Sequence, residues 1–549
     1  HWGTRLGVIL AVAGSAVGLG NFLRFPGQAA ANGGGAFLIP YFIALLLLGI
    51  PIGWAEWTMA RYGGRKGLHS GPAIMGVAGK GSFGRYVGIL SVLIPLAVSF
   101  YYTFIEAWCL GYAWNYLMGG IGLDPAQPAT HTDTARTFFE KFTGASNNCD
   151  IFGPSIETLY FWLITVALNI FLVYRGLSGG IEKFCSLAMP AMAVCAFIVL
   201  IRVLTLGTPD PLKPDQNVLT GLGYMWNPNF NELLDPQTWL AAAGQIFFSL
   251  SVGFGVILNY ASYLRKKDDI ALSGLTAAAT NEFFEVGFGG IITLTASVVF
   301  LGVSGTVAAV SGGTFGLGFQ TLPVVFAQMG PAGNFIGFVW FFMLFLAAIT
   351  SSISMYQPSL AFFEESLGIS RKRGTTFLVT IALIGSFLVL YYSKGSVPQI
   401  TLQNEVGEQA TAAKVIDEKA QQQKLERVKS LQKELGVGID GVFGPETEKA
   451  LKDWQAKNKM PETGIADPET LLKLKVTNRG GAEFLGTIDD WVGTLLIFVL
   501  AGVQIFFFSW IFGLERGWNE LHAGSKIQLP AFFKIVFKWI APIYLLIIF

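Results

Sequence analysis

Long apolar stretches separated by short polar connections fill most of this chain of 549 residues. A helix needs about 20 predominantly apolar residues to cross the hydrocarbon core of a bilayer. We place such spans at 5–30, 36–60, 87–118, 156–174, 182–206, 238–263, 271–302, 334–364, 375–393, 489–514 and 530–549. The pattern predicts an all-α polytopic membrane protein with about 11 transmembrane helices, and it leaves a twelfth helix beyond residue 549 open.

Lys and Arg are distributed unequally among the connections. The connections after the second, sixth and eighth spans are basic, whereas those after the first and seventh spans, about 31–35 and 303–333, contain neither residue. Because basic connections tend to remain in the cytoplasm, we expect a multi-pass protein with a cytoplasmic N-terminus.

The composition agrees with a membrane protein and argues against other classes. The chain is 52% hydrophobic and 13% charged, whereas soluble domains carry about 25% charged residues. The net charge of +1 argues against nucleic-acid binding, which needs a basic face. No Ser-His-Asp set, phosphate loop or pair of catalytic carboxylates is placed as an enzyme site requires, so we expect no enzyme. The cysteines lack metal-ligand spacing and only Cys149 is expected in a loop, so we predict no disulfide framework.

Residues 414–475 differ from the rest of the chain because they hold 12 basic and 11 acidic residues. Within them the pattern LQ…LG…DG.FGP.T..A…WQ…G..D..T…L runs from Val428 to Leu474 and predicts a small three-helix module. The pattern resembles the peptidoglycan-binding module of bacterial cell-wall hydrolases. The resemblance implies a bacterial inner (plasma) membrane protein whose insertion is extracytoplasmic and binds peptidoglycan through residues 424–475.

Two other interpretations of the module stay open. In the first, the module has the fold of a peptidoglycan-binding domain but no longer binds peptidoglycan. In the second, it contacts another protein. In each case we divide the chain into a transporter-like part with helices 1–9, an insertion of helical linker and module, and a part with helices 10 and 11. These parts cover residues 1–395, 400–480 and 485–549.

Five ionisable residues lie at membrane depth: Arg24, Glu56, Glu106, Glu282 and Glu285. Each would cost about 3 kcal/mol or more if it faced lipid, so we expect all of them to face the bundle interior or a water-filled cavity. We interpret Glu56 as a cap for the backbone N–H groups of a broken helix, and Arg24 as part of a gate.

Two apolar spans are interrupted by glycines in the same order, AVGLG at 16–20 and SVGFG at 251–255. Alone, each motif is typical of close helix packing. Matching interruptions in two halves of a chain indicate a transporter's midplane site, where free N–H groups suit a carboxylate and free carbonyls suit Na⁺. Side chains with neutral oxygens, which suit a hard cation, lie in or near these spans: Asn21, Ser249, Ser251, Asn281, Thr350, Ser351 and Ser352.

Four motifs resemble the neurotransmitter:sodium symporter family. They are WGTRLG at 2–7, GSAVGLGNFLRFP at 14–26, NGGGAFLIPY at 32–41 and GQIFFSLSVGFG at 244–255. The resemblance implies the leucine-transporter fold, an inverted repeat of five helices, together with alternating access and Na⁺-coupled amino-acid uptake.

The same resemblance implies the binding residues. A first sodium site would use Ala16, Asn21, Ser249 and Asn281, together with the carboxylate of the substrate. A second sodium site would use Gly14, Val17, Ala347, Thr350 and Ser351. The implied substrate-binding residues are Ser15, Ala16, Leu19, Gly20, Val98, Tyr102, Phe248, Ser249, Ser251, Phe254, Ser351 and Met355. Arg24 with Asp489 would form an outer ion-pair gate, and Phe254 would be the lid over the substrate.

Individual positions specify more closely the substrate, the anion requirement and the pocket shape that the resemblance implies. Gly18 stands where monoamine carriers of the family have an aspartate, which implies a substrate with its own carboxylate. Glu285 matches the acidic residue that replaces chloride in chloride-independent members. Met355 and Ser15 depart from the residues of the leucine transporter, and a flexible Met changes the shape of the pocket.

We therefore expect a Na⁺-coupled, Cl⁻-independent symporter that imports neutral, hydrophobic L-amino acids. A proton-coupled carrier on the same fold and a wall-anchored amino-acid sensor stay open as alternatives.

Overall fold

A computed structural model describes residues 2–124, 127–143, 156–310, 316–392, 428–429, 431–440, 443–458, 464 and 489–548. Within these ranges the chain is helical and contains no β-strand. Cys109, Cys185 and Cys195 are free thiols, and Cys149 lies outside the described residues.

The helices follow one another with short connections. They are α1 (Arg5–Ala16), α2 (Gly20–Ala31), α3 (Gly35–Gly64), α4 (Gly71–Ala78), α5 (Ser82–Leu117), α6 (His131–Thr143), α7 (Ile156–Tyr174), α8 (Leu177–Leu204), α9 (Val218–Trp226), α10 (Pro236–Leu250), α11 (Val256–Ser262), α12 (Ile270–Val310), α13 (Leu317–Ala327), α14 (Gly333–Ser366), α15 (Arg371–Tyr392), α16 (Pro445–Lys457), α17 (Trp491–His522) and α18 (532–548).

The predicted multi-pass architecture is confirmed. Within the described residues, eight helices are long and apolar enough to cross a membrane, or nine if the bent pair α1–α2 is one span. The sixth predicted span consists of α10 and α11 with a break between them, and the eleventh is the shorter α18. The count of eleven spans remains a prediction.

A scaffold of packed helices surrounds the two broken spans. α5 and α14 pack along their lengths, and α8 packs against α14. Aromatic contacts such as Tyr112 with Phe341, whose ring centroids are 4.7 Å apart, hold α5 and α14 together. α1 lies against α8, α12 and α14, so the first break is enclosed by the scaffold.

The first break is brought close to α12 by two π-helical turns, Gly20–Arg24 and Phe283–Gly290, which pack against each other. A Cβ at Gly289 would lie 2.0 Å from the carbonyl oxygen of Asn21. Only glycine therefore permits this approach, which places Asn21 beside the residues of α12.

The part of the inserted module that the structure describes has its own small core. Leu431 and Leu451 are buried, and Leu435 and Trp454 pack against them. α16 begins at Pro445. The helical linker before residue 428 and much of the module lie outside the described residues, so the three-helix arrangement remains a prediction.

Candidate functional site

The first broken span exposes backbone groups at its centre. α1 ends at Ala16, α2 begins at Gly20, and the two helices meet at an angle of 48°. The N–H of Gly18 donates to Asn21 Oδ1 at 2.8 Å, and the N–H of Leu19 lies 3.4 Å from the hydroxyl of Tyr102. The break thus gathers N–H donors and a hydroxyl at one point.

Gly18 is required by the space around it. A Cβ there would lie 2.7 Å from Ser351 Oγ and 2.9 Å from the Tyr102 hydroxyl. Any larger side chain would push these two polar groups apart.

The second broken span has a left-handed turn. Ser251 (φ 54°), Gly253 (φ 71°) and Gly255 (φ 95°) all have positive φ, a region that favours glycine. The N–H of Gly253 donates to Glu56 Oε1 at 3.2 Å. The interpretation of Glu56 as a cap for a broken helix is confirmed.

A polar cluster joins the two breaks to α12. Asn21 Nδ2 donates to Asn281 Oδ1 at 2.8 Å, and Asn281 Nδ2 donates to Ser249 Oγ at 2.6 Å. Glu285 Oε2 accepts from Asn21 and Asn281 at 3.2 Å each, and it also accepts from the hydroxyl of Ser249. All four side chains are buried. The three side chains expected at the first sodium site are therefore joined through Asn281, with a carboxylate beside them.

Gln245 extends this cluster toward Arg24. Its Nε2 donates to Glu285 Oε1 at 2.6 Å, and its Oε1 accepts from Arg24 Nη1 at 3.0 Å. Sequence reasoning missed Gln245. Its helical spacing could have indicated it, because Gln245 precedes Ser249 by four residues and so lies on the same face of α10.

The residues expected at the second sodium site meet where α1 crosses α14. Ser351 Oγ lies 3.4 Å from the carbonyl oxygen of Gly14 and 3.1 Å from that of Ala347. Thr350 Oγ1 donates to the carbonyl oxygen of Ala347 at 3.0 Å. Val17 directly follows the last residue of α1 and is buried.

A cavity of about 30 Å³ lies between the two breaks. It is lined by every predicted substrate-binding residue except Leu19, and also by Gly18 and Ser354: Ser15, Ala16, Gly18, Gly20, Val98, Tyr102, Phe248, Ser249, Ser251, Phe254, Ser351, Ser354 and Met355. No charged side chain is among these lining residues.

Ser354 is the other residue that sequence reasoning missed. Its hydroxyl lies 2.7 Å from the hydroxyl of Ser15, so it joins α14 to the first break. Three residues separate it from Ser351, and this helical spacing was the available signal.

A larger depression, of about 690 Å³, lies on the surface beside α9 and Val303. None of its lining residues has a charged side chain, and none belongs to the broken spans. We therefore place the candidate site at the cavity between the breaks.

The aromatic ring that contacts Arg24 differs from the residue predicted as the lid, and the role of Phe254 as lid stays a prediction. The guanidinium of Arg24 lies 4.7 Å from the ring centroid of Phe248, and a Cβ at Gly20 would lie 2.8 Å from the same ring. The aromatic ring under Arg24 is thus Phe248, whereas Phe254 lines the cavity wall. The side chain of Asp489 lies outside the described residues, so its pairing with Arg24 stays a prediction.

The remaining acids at membrane depth also face the interior. Glu56, Glu106 and Glu285 are fully buried. Glu282 is partly buried, and its Oε2 accepts from the hydroxyl of Tyr41 at 2.6 Å. The expectation that these carboxyl groups avoid lipid is confirmed.

Comparisons with known proteins agree with this architecture. The model of the sodium:neurotransmitter symporter family matches residues 1–162 and 123–412, and that of the peptidoglycan-binding domain family matches residues 419–474. An uncharacterized sodium-dependent transporter of Methanocaldococcus jannaschii is 32% identical over 70% of this chain and 73% of its own length. One of Haemophilus influenzae is 29% identical over 73% of this chain and 79% of its own.

A solved structure shows the same fold. The crystal structure of MhsT in complex with L-phenylalanine superposes with a TM-score of 0.71, at 24% identity, over 100% of this chain and 98% of its own. This likeness confirms the predicted leucine-transporter fold. Together, the family match over most of the chain and the two interrupted spans lead to one conclusion: this chain is a multi-pass membrane protein of the sodium:neurotransmitter symporter family, a family of sodium-dependent transporters and not of enzymes.

Proposed function

We propose that this protein imports neutral, hydrophobic L-amino acids by symport with Na⁺, without a requirement for chloride. The observation that carries the proposal is the contact of the Glu285 carboxylate with Asn21, Ser249 and Asn281 at the junction of the two broken spans.

The first sodium site would be built on this cluster. Na⁺ is a hard cation and prefers oxygen ligands, and the side chains of Asn21, Asn281 and Ser249 supply amide and hydroxyl oxygens. The carbonyl of Ala16 lies at the end of α1, where backbone oxygens lack helical partners. A substrate carboxylate bound at the neighbouring N–H of Leu19 would complete the site, so that ion and solute bind together.

The second sodium site would use the carbonyls of Gly14, Val17 and Ala347 with the hydroxyls of Thr350 and Ser351. The hydroxyl and carbonyl oxygens of α1 and α14 already converge there, at 3.0 to 3.4 Å from one another. An ion at this place would bridge a broken span and the scaffold, which couples its binding to their relative position.

The substrate class follows from the cavity walls. No charged side chain lines the cavity, and Gly18 leaves no room for an acidic group that would receive an amine. These features support a substrate that brings its own carboxylate, as the resemblance at Gly18 implies. Apolar walls at Val98, Phe254 and Met355 favour a hydrophobic side chain. MhsT, which shares the fold, forms a complex with L-phenylalanine, an amino acid of this class.

Chloride independence rests on Glu285. With Na⁺ bound beside it, the Glu285 carboxylate would be stabilised in its charged form, and this fixed negative charge would make an added anion there unfavourable. In the same proposal Arg24 with Asp489 forms the outer gate, and Phe254 is the lid.

For the membrane arrangement we propose a bacterial inner (plasma) membrane, a cytoplasmic N-terminus and an extracytoplasmic insertion. The basic connections support this orientation, and the match to peptidoglycan-binding domains supports wall binding by the module.

A thermal-shift screen of the purified protein tests the substrate class. We expect L-phenylalanine and other neutral amino acids to raise the melting temperature in Na⁺ and not in K⁺. Phenethylamine has the same ring and amine without the carboxylate, and we expect no shift with it. Equal stabilisation in K⁺, or stabilisation by phenethylamine, would contradict the proposal.

A further inference from the structure

Glu106 lies behind the cavity and has no part in the transport steps proposed above. Its side chain is fully buried in α5, one helical turn beyond Tyr102, whose hydroxyl lines the cavity.

A hydrogen-bonded chain connects Glu106 to two further helices. Asn169 Nδ2 of α7 lies 2.9 and 3.1 Å from the two carboxyl oxygens of Glu106. Ser352 Oγ of α14 donates to Asn169 Oδ1 at 2.7 Å. Both partners are fully buried, and Ser352 directly follows Ser351 of the candidate site. These hydrogen bonds therefore connect the back of the cavity, through α7, to α14, the helix of the proposed second sodium site.

Within the described ranges, no positively charged side chain acts on Glu106. Among the described residues, the ionisable groups that interact with it are Tyr102 and Cys109 of α5 and Tyr356 of α14, and α7 contributes the neutral Asn169. A carboxylate that is removed from water and bonded only to neutral side chains, here Asn169 and Ser352, is strongly disfavoured, and neutralisation by a proton removes this cost.

We propose that Glu106, Asn169 and Ser352 form a proton-binding site, in which the Glu106 carboxyl holds one proton. Loss of that proton to water at alkaline pH leaves a charge between α5, α7 and α14. The resulting strain reaches Tyr102 and Ser351 and weakens substrate binding. The coupling to substrate rests on the proposed function, whereas the bound proton does not.

Infrared spectroscopy of the purified full-length protein tests the proton site without any transport assay. We expect a C=O stretching band of a protonated carboxylic acid at pH 7 that is lost in Glu106→Gln. Ser352→Ala keeps Glu106 but removes the hydroxyl that bonds Asn169 and the Glu106 carboxyl, so we expect the band to persist at a shifted frequency. A spectrum of Glu106→Gln identical to that of the wild type would overturn the site, and an unshifted band in Ser352→Ala would overturn the chain of hydrogen bonds.

The coupling is tested by equilibrium binding of radiolabelled L-phenylalanine in Na⁺ from pH 7 to pH 10. We expect the wild type to lose about tenfold in affinity across this range, and Glu106→Gln, which is neutral throughout, to match the wild type at pH 7 and stay constant. An equal loss of L-phenylalanine affinity in both proteins at alkaline pH would overturn the coupling between the Glu106 proton and substrate binding. Absence of binding by both at every pH, with the infrared band present, would count against the proposed substrate and leave the proton site supported.

Discussion

Asn281 is the residue through which ion and substrate binding would be coupled. Its amide donates to Ser249 Oγ at 2.6 Å while its Oδ1 accepts from Asn21 at 2.8 Å, so one side chain bridges both broken spans. Removing it would take away one proposed sodium ligand and one hydrogen bond from each of Asn21 and Ser249.

We therefore predict that Asn281→Ala weakens binding of Na⁺ and of amino acid together, each by about tenfold, which corresponds to roughly 1.4 kcal/mol. Titrations of substrate at several Na⁺ concentrations measure both effects. Thr276→Ala is a matched control, because Thr276 lies in the same helix and its hydroxyl bonds only the backbone oxygen of Leu272 among the contacts described. Unchanged Na⁺ dependence in Asn281→Ala would exclude it from a shared site.

The sequence identified side chains that the structure brings together here, for a physical reason. Groups such as Asn21, Asn281 and Glu285 are costly in an apolar span and so are readily noticed. Gln245 and Ser354 were missed because a single amide or hydroxyl in a membrane helix more often bonds its own backbone. The hydrogen-bond partners of Gln245 and Ser354 could be identified only from the structure, which shows how the helices pack against one another.

At the scale of helices, the turn between α10 and α11 depends on a group from α3. The Gly253 N–H is buried inside the bundle and donates to Glu56 Oε1 at 3.2 Å. A buried N–H without an acceptor costs about 1–3 kcal/mol, so Glu56 stabilises the broken form of this span.

We predict that Glu56→Leu lowers the melting temperature of the detergent-solubilised protein, by an amount equivalent to about 1–3 kcal/mol. Glu56→Gln keeps a carbonyl oxygen as acceptor, so its melting temperature should lie between those of the wild type and Glu56→Leu. Fluorescence-detected thermal unfolding distinguishes them. Equal melting temperatures for the wild type and Glu56→Leu would show that the cap does not stabilise the turn.

The positions of the helices were predictable, but the side-chain directions at the breaks were not. Apolar length alone identifies the spans, and glycine pairs mark the interruptions. Phe254 was predicted as the lid, yet the ring under Arg24 is Phe248. The left-handed conformation of Ser251 reorients the chain between these two rings, and a helical pattern cannot anticipate that turn.

At the scale of the molecule, the inserted module is the feature that sets this chain apart from a plain transporter. In its described part, Leu431, Leu451, Leu435 and Trp454 form a cluster separate from the main core. A separate hydrophobic core is what an independently folding unit needs, so we expect removal of the module to leave the transporter intact.

We predict that replacing residues 405–480 by a short linker leaves amino-acid uptake within about twofold of the wild type, because every proposed binding residue lies outside this range. The same deletion should abolish sedimentation of the protein with purified peptidoglycan. Size-exclusion chromatography controls for folding. Complete loss of uptake in a folded deletion protein would make the module part of the transport mechanism.

Na⁺ coupling and chloride independence are tested most directly by uptake of radiolabelled L-phenylalanine into proteoliposomes, with gluconate in place of chloride. An inward Na⁺ gradient should drive accumulation by the wild type, and an equal K⁺ gradient should not. Glu285→Ser removes the fixed charge, and we expect its uptake to require added chloride. Accumulation in K⁺ equal to that in Na⁺, or a chloride requirement in the wild type, would contradict Na⁺-coupled transport in which Glu285 takes the place of the anion.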